Sequence, residues 1–428
     1  MLIRIMLLIL VCFSVSCSSS DSTGRKQGDL DPTFNSPDGY VTYVGWNKDS
    51  YLDTAIQADG KIVVSTGILN SPDSNVGVLR YNSDGTLDQD FGTGGVIIYD
   101  GGKGKDSGRS VAIDMDEKII LTGYTYNGND YDLMLMRLNT DGTRDQSFGT
   151  EGIVLYDNAN RNNYGRGIAL QPDQKIVVTA KSTEDSTSLA MVLRYLSDGT
   201  LDPSFGVNGV SVYEGGEGND GFRDLAIQSD EKIVVAGYTR TTEGFEILTG
   251  RFNMDGNLDS SFGTDGIARY NGGYGNAGAR GVTILSDGRI IVSGSNDNGT
   301  DLDLVLLAYR SDGSLDNGFG TDGVVAYDGG KGDDNGRRLA LQQNDRIVVT
   351  GNTSNGNDYD TLILSYHSNG TIDTAFGRGG VSIIRLGHGN DWGEAVAIQS
   401  DQNIVVAGGV DNEQDEIFTM RVIGSLVL

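Results

Sequence analysis

Short apolar runs punctuated by glycine, asparagine and aspartate recur along this chain. In one stretch, Gly95 to Tyr99 (GVIIY), Ser110 to Ile113 (SVAI), Lys118 to Thr122 (KIILT) and Asp132 to Leu138 (DLMLMRL) are aliphatic or β-branched. Between them lie a Gly-rich loop from Asp100 to Gly108, a tight turn at Met115-Asp116-Glu117 and an Asn/Gly/Asp loop from Tyr124 to Tyr131. A further turn begins at Thr140-Asp141-Gly142. Runs of this length bounded by turn residues are strand signals. No long 3.6-residue periodicity occurs beyond the N-terminus, so no helix is expected there.

The pattern repeats. A phenylalanine stands at Phe34, Phe91, Phe148, Phe205, Phe262, Phe319 and Phe376, always 57 residues apart, and an aspartate precedes each by three residues, from Asp31 and Asp88 to Asp373. A fixed period of this size marks a repeat architecture. Seven units of four short strands predict an all-β fold, a seven-bladed β-propeller of four-stranded blades occupying residues 29–428. The chain ends imply how it closes. The last unit lacks its outer strand, and the N-terminal run Tyr40 to Val44 is left over to complete it, which would remove exposed sheet edges.

The segments "SDGTLDxxFGTGG" at Ser83 to Gly95 and "AIQxDGKIVV" at Ala55 to Val64 resemble the delta-60 repeat family, which is related to NHL-type bacterial propellers. The resemblance covers all seven units. It implies an exported propeller and carries no shared catalytic motif. The first unit departs most, with Asn35 where the other units have glycine after the phenylalanine.

The Asp-x-x-Phe spacing lets the carboxylate accept N–H groups of its own turn, while the phenyl ring enters the space between blades. Calcium held by Asp84-x-x-x-Asp88 and its equivalents is the alternative; recurrence in every unit favours structure. A second ring falls in the loop leading to each inner strand. Asp49, Asp106, Asp220, Asp334 and Asp391 are in register, with Asn163 and Ala277 in the other two units; three residues on come Arg109, Arg166, Arg223, Arg280 and Arg337, with Leu52 and Glu394 in the remaining two units. These residues are expected around the mouth of the central channel, the aspartates and arginines pairing as a polar rim.

In a repeat protein, a ligand site is sought where copies differ. The only tryptophans, Trp46 and Trp392, fall in units adjacent across the closure seam, with Tyr51, His388, Asp391 and Glu394 near them. They form a candidate ligand platform of aromatic faces and a few polar groups; packing over the seam is the alternative.

At the N-terminus, Arg4 precedes an apolar run from Ile5 to Phe13 and the residues Ser14-Val15-Ser16-Cys17. The run is too short to span a bilayer, which needs roughly 20 residues, and reads as an export signal. Ending on cysteine, residues 1–17 resemble a bacterial lipoprotein signal, which implies lipidation at Cys17 and leaves 18–28 as a tether. The implied location is the outer membrane, periplasmic or surface-facing, or otherwise the secreted fraction. The membrane is then a partner only through the lipid, and a monomer is expected. With Cys12 and Cys17 the only cysteines, the mature domain has no disulfide.

The formal charge is −27, from 59 acidic and 32 basic residues. Nucleic acid is excluded as a partner for want of a basic footprint, and the overall field is expected to favour cations over anionic ligands. Two histidines cannot build a three-His zinc site, and no HExxH motif or G-x-S-x-G elbow occurs. Two readings remain. The first is a non-enzymatic cell-envelope module binding a glycan or protein partner, without a cofactor. The alternative is an extracellular polysaccharide-active hydrolase or lyase using the channel mouth with a bound cation, calcium being the candidate.

Overall fold

The computed structural model describes residues 24–45, 51–70, 73–158, 161–215 and 217–425. The expected signal peptide, Cys17, Trp46 and Asp49 lie outside the described residues. Seven four-stranded antiparallel sheets follow one another around an axis, and the only helical element among the described residues is a 3-10 turn at Gln343–Asp345. The second blade shows the plan: an inner strand Ser107–Ile113, two middle strands Ile119–Tyr126 and Tyr131–Leu138, and an outer strand Ile153–Tyr156.

Burial follows position within the blade. The middle strands are covered on both faces by neighbouring blades, so nearly every residue of Ile119–Tyr126 is buried and the run is apolar. The outer strands face solvent on one side, and Val210–Tyr213 alternates in burial accordingly.

The seventh blade is completed by Tyr40–Val44, which pairs antiparallel with Glu416–Val422 in the register Tyr40↔Met420 to Val44↔Glu416. The closure expected from the unequal chain ends is therefore present. It extends further back than the strand. The Gly28 N–H donates to the Ile423 carbonyl at 2.8 Å and the Gly377 N–H to the Gln27 carbonyl at 2.7 Å, so the end of the expected tether is already docked.

Five of the seven blade junctions are pinned by a clamp at the periphery; Ala308 and Ser365 stand in place of its arginine at the other two. Asp88 accepts the Asp90 N–H through one oxygen and the Arg80 Nε–H at 2.8 Å through the other. The Arg80 guanidinium lies 4.3 Å above the Phe91 ring centroid and donates to the Thr140 carbonyl of the next blade. The same triad recurs as Arg137–Asp145–Phe148, Arg194–Asp202–Phe205, Arg251–Asp259–Phe262 and, across the seam, Arg421–Asp31–Phe34. All seven phenylalanines are buried. The carboxylates once considered for calcium are thus occupied, Asp88 in the clamp and Asp84 by the Thr86 N–H and hydroxyl. The residue after phenylalanine needs a left-handed backbone, φ 54° at Gly92, and Asn35 adopts 42° there, a conformation asparagine tolerates.

Candidate functional site

Along the inner strands the pairing register slips once per blade from the second to the seventh: between Gly108 and Ser110, Gly165 and Ile168, Phe222 and Asp224, Ala279 and Gly281, Gly336 and Leu339, and Gly393 and Ala395. A β-bulge inserts an unpaired residue and re-aims its side chain. The bulged residues include Arg109, Arg166, Arg223, Arg280, Arg337 and Glu394, and each turns toward the axis. With Tyr51, Leu52 and Arg338 they line one cavity of about 40 Å³. All seven blades contribute, so the cavity lies in the central channel.

Tyr51 sits among the arginines. Its ring centroid is 4.9 Å from the Arg109 guanidinium carbon and 5.6 Å from those of Arg166 and Arg280, and Arg280 Nη1 donates to its hydroxyl at 3.3 Å. The Arg280 charge, with Arg223 and Arg166 adding to it against the cost of burial, holds the Tyr51 phenol down to about 6. Burial, then Arg109, pushes Arg166 down to about 10; burial, then Arg280, pushes Arg223 down to about 9. Both remain cationic at neutral pH.

Among the described residues one carboxylate answers the five arginines: Glu394 Oε1, 3.3 Å from Arg337 Nη2. The neighbouring Arg338 is committed elsewhere, to an ion pair with Asp224. Arg109 Nε and Nη1 and Arg337 Nε are buried and find no hydrogen-bond partner among the described residues. The overall charge of −27 therefore misleads about this point. Inside the channel the local charge is opposite in sign to the overall charge, with five arginines against Glu394 among the described residues.

The aspartate and arginine rings do not pair as expected. Asp106 turns back under its own loop, accepting from the Gly101 N–H at 2.6 Å, Thr125 Oγ1 at 2.5 Å and the Tyr126 N–H at 3.1 Å. Asp220 and Asp334 brace the same loop in their blades. The bulges that aim Arg109, Arg223 and Arg337 at the axis separate them from Asp106, Asp220 and Asp334; Arg166 and Arg280 follow Asn163 and Ala277 instead. Asp391 is likewise fully buried and accepts the Leu386 N–H, and burial pushes its carboxyl up to about 6.

Of the seam candidates, the structure brings Tyr51 and Glu394 into the channel. Trp392 is half-buried against the apolar cluster between the first and last blades, and His388 is exposed on its loop. Neither lines the channel cavity.

Two aromatic groups beside the ring were not foreseen. Tyr124, Tyr126, Tyr131 and Tyr164 pack at centroid distances of 5.1–5.4 Å, next to Arg109 and Arg166. Two blades on, Tyr238 and Phe245 pack edge to face at 5.7 Å, with Arg223 4.8 Å and Lys181 5.6 Å from the Tyr238 centroid. These two residues line a groove of about 330 Å³ with Lys181, Asn219, Asn276 and Asn335, and the groove shares Arg223 and Arg280 with the channel cavity. The signal was present in the sequence: Tyr124 and Tyr131 occupy the same repeat positions as Tyr238 and Phe245.

For metals, Asp130, Asp132 and Asp157 approach closely enough to share a cation, as do Asp303, Asp328 and Asp334. In the sixth blade Arg385 takes the corresponding place and bonds Asp360 Oδ1 at 2.8 Å.

Six segments, residues 57–91, 116–148, 171–205, 228–262, 285–319 and 342–376, match the family described as "Domain of unknown function (DUF5122) beta-propeller". No curated protein matches the chain. Among solved structures, a streptogramin B lyase is 13% identical over 90% of this chain and 98% of its own, with a TM-score of 0.51. The polysaccharide lyase Uly1 is 11% identical over 87% of this chain and 90% of its own, also at 0.51. At such identities the likeness shows the fold alone.

Proposed function

Starting from a propeller built of DUF5122 repeats, we propose a non-enzymatic binding module whose channel face holds a glycan, displayed on the bacterial cell envelope through a lipid at Cys17. One observation carries the reading. The groove beside the channel combines the aromatic pair Tyr238–Phe245 with the amides Asn219, Asn276 and Asn335 and the cations Lys181, Arg223 and Arg280. Aromatic faces pack on the apolar face of a pyranose, while amides and cations bond its hydroxyls. The tyrosine group around Tyr131 extends such a surface to the other side of the ring.

The test is a glycan array with residues 24–428, followed by calorimetry on the hits. Tyr238→Ala removes one aromatic contact, about 1 kcal/mol, and weakens binding roughly fivefold. Unchanged affinity in Tyr238→Ala and Tyr131→Ala together rejects this face as the glycan site.

The polysaccharide-active alternative keeps one observation in its favour. A phenol held down to about 6 beside guanidinium groups can act as a base toward an acidic sugar. It needs no bound cation. Unsaturated product formed from a uronate polymer by the wild type and lost in Tyr51→Phe would replace the binding reading with a lyase.

A further inference from the structure

The five channel arginines are the least balanced part of the molecule. Charge taken out of water is tolerated when it is paired, and every other buried arginine cluster described here has its carboxylate: Asp88, Asp145, Asp202, Asp259 and Asp31 at the periphery, Asp224 beside Arg338. Inside the channel, among the described residues, Arg109, Arg166, Arg223, Arg280 and Arg337 share Glu394 and the Tyr51 hydroxyl. Among the described residues, three guanidinium nitrogens, on Arg109 and Arg337, are buried without a partner, and Arg109 as a whole is 7% exposed. Guanidinium forks match the oxygens of carboxylate, sulfate and phosphate. A cavity of about 40 Å³ has room for such a group and not for a sugar ring.

We propose that the channel cavity is an oxyanion site, in which the Tyr51 hydroxyl is a built-in competitor for the arginines. For the glycan this rests on the reading above and deepens it. The sugar lies in the groove of Tyr238 and Phe245, and its carboxylate or sulfate reaches through Arg223 and Arg280, which belong to both spaces. The oxyanion site itself does not depend on that reading, since a free inorganic anion would meet the same donors. The competition sets a pH dependence. Among the described residues, the charged and titratable groups facing Tyr51 are the five arginines, Arg338 and Glu394. An ionised Tyr51 already neutralises part of the ring, so an incoming anion binds better when the phenol is protonated.

Titrating the 24–428 chain with sodium sulfate tests this by calorimetry, at constant ionic strength. One sulfate per chain is expected, weakened at least about tenfold in Arg280→Gln, with thermal melts confirming that the variant is folded. Wild-type affinity falls as pH rises from 5 to 8, about the pH where the phenol titrates; Tyr51→Phe binds more tightly and flattens that dependence. No sulfate or phosphate binding overturns the oxyanion site, and an unaltered pH profile in Tyr51→Phe overturns the competition. Uronate- or sulfate-bearing oligosaccharides separate the two proposals. Sulfate bound without any glycan keeps the site and rejects the glycan reading. Glycans bound equally by wild type and Arg280→Gln keep the glycan reading and reject the placement of the glycan's anion in the site.

Discussion

Arginines occupy two concentric positions in this propeller, and they behave oppositely. At the periphery, Arg80, Arg137, Arg194, Arg251 and Arg421 each have an aspartate from the same blade and a phenyl ring beneath. At the axis, Arg109 to Arg337 recur with equal regularity, but Asp106, Asp220 and Asp334 turn away from the arginines that follow them, and the ring accumulates charge. Recurrence alone therefore does not distinguish scaffold from site. A repeated charge whose counter-charge repeats with it builds the blade, whereas a repeated charge that converges on its own copies builds a place for something else.

The contrast can be broken at several points. The largest effect is expected at the seam. Removing residues 24–44 deletes the closing strand, Asp31 and Phe34 together, and should abolish the cooperative thermal transition; a melt matching the longer chain would refute closure. Next is the peripheral clamp. Asp202→Asn leaves Arg194 buried without its carboxylate and should cost about 3–5 kcal/mol by chemical denaturation. Trp392→Ala, at a half-buried position on the seam cluster, should cost about 2–3 kcal/mol, less than a fully buried aromatic, and leave sulfate affinity unchanged. At the axis the sign reverses. Arg223→Gln relieves like-charge crowding and should leave stability unchanged or raise it by up to ~1 kcal/mol; a loss comparable to Asp202→Asn would make the ring part of the scaffold.

A further effect is a pH slope. The Tyr51 phenol falls from 10.0 to about 6 on folding, so between these values the unfolded chain holds the extra proton and stability rises with pH. Its contribution is absent below about 6 and grows above it. The difference in denaturant midpoint between wild type and Tyr51→Phe should therefore widen from pH 6 to 8.5. A constant difference would show that Tyr51 is not ionised by the ring.

Blade number, strand count and closure could be read from the chain because they rest on spacing: the Asp-x-x-Phe period and the leftover strand Tyr40–Val44. The clamp was half legible. Its aspartate and phenylalanine were recognised, but Arg80 and its equivalents, eight residues before the aspartate, were not. The arginine ring was placed at the channel, yet its partners were mistaken, because spacing along a strand does not show where a bulge will rotate one residue. The tryptophans drew attention to the seam by their rarity. Rarity is a property of composition, and the aromatic groups of the second and fourth blades escaped notice because tyrosine is common here.

The bulges on the inner strands have an evolutionary consequence. Each offers a side chain to the axis from a residue that takes no part in the ladder, so its identity is nearly free of the constraint that holds the rest of the blade. Arginine and glutamate already occupy equivalent slots on the same backbone. Selection can therefore rewrite the channel one blade at a time, by single substitutions, while the surrounding architecture stays unchanged. A lineage of such propellers could diverge in ligand while remaining nearly superimposable in outline.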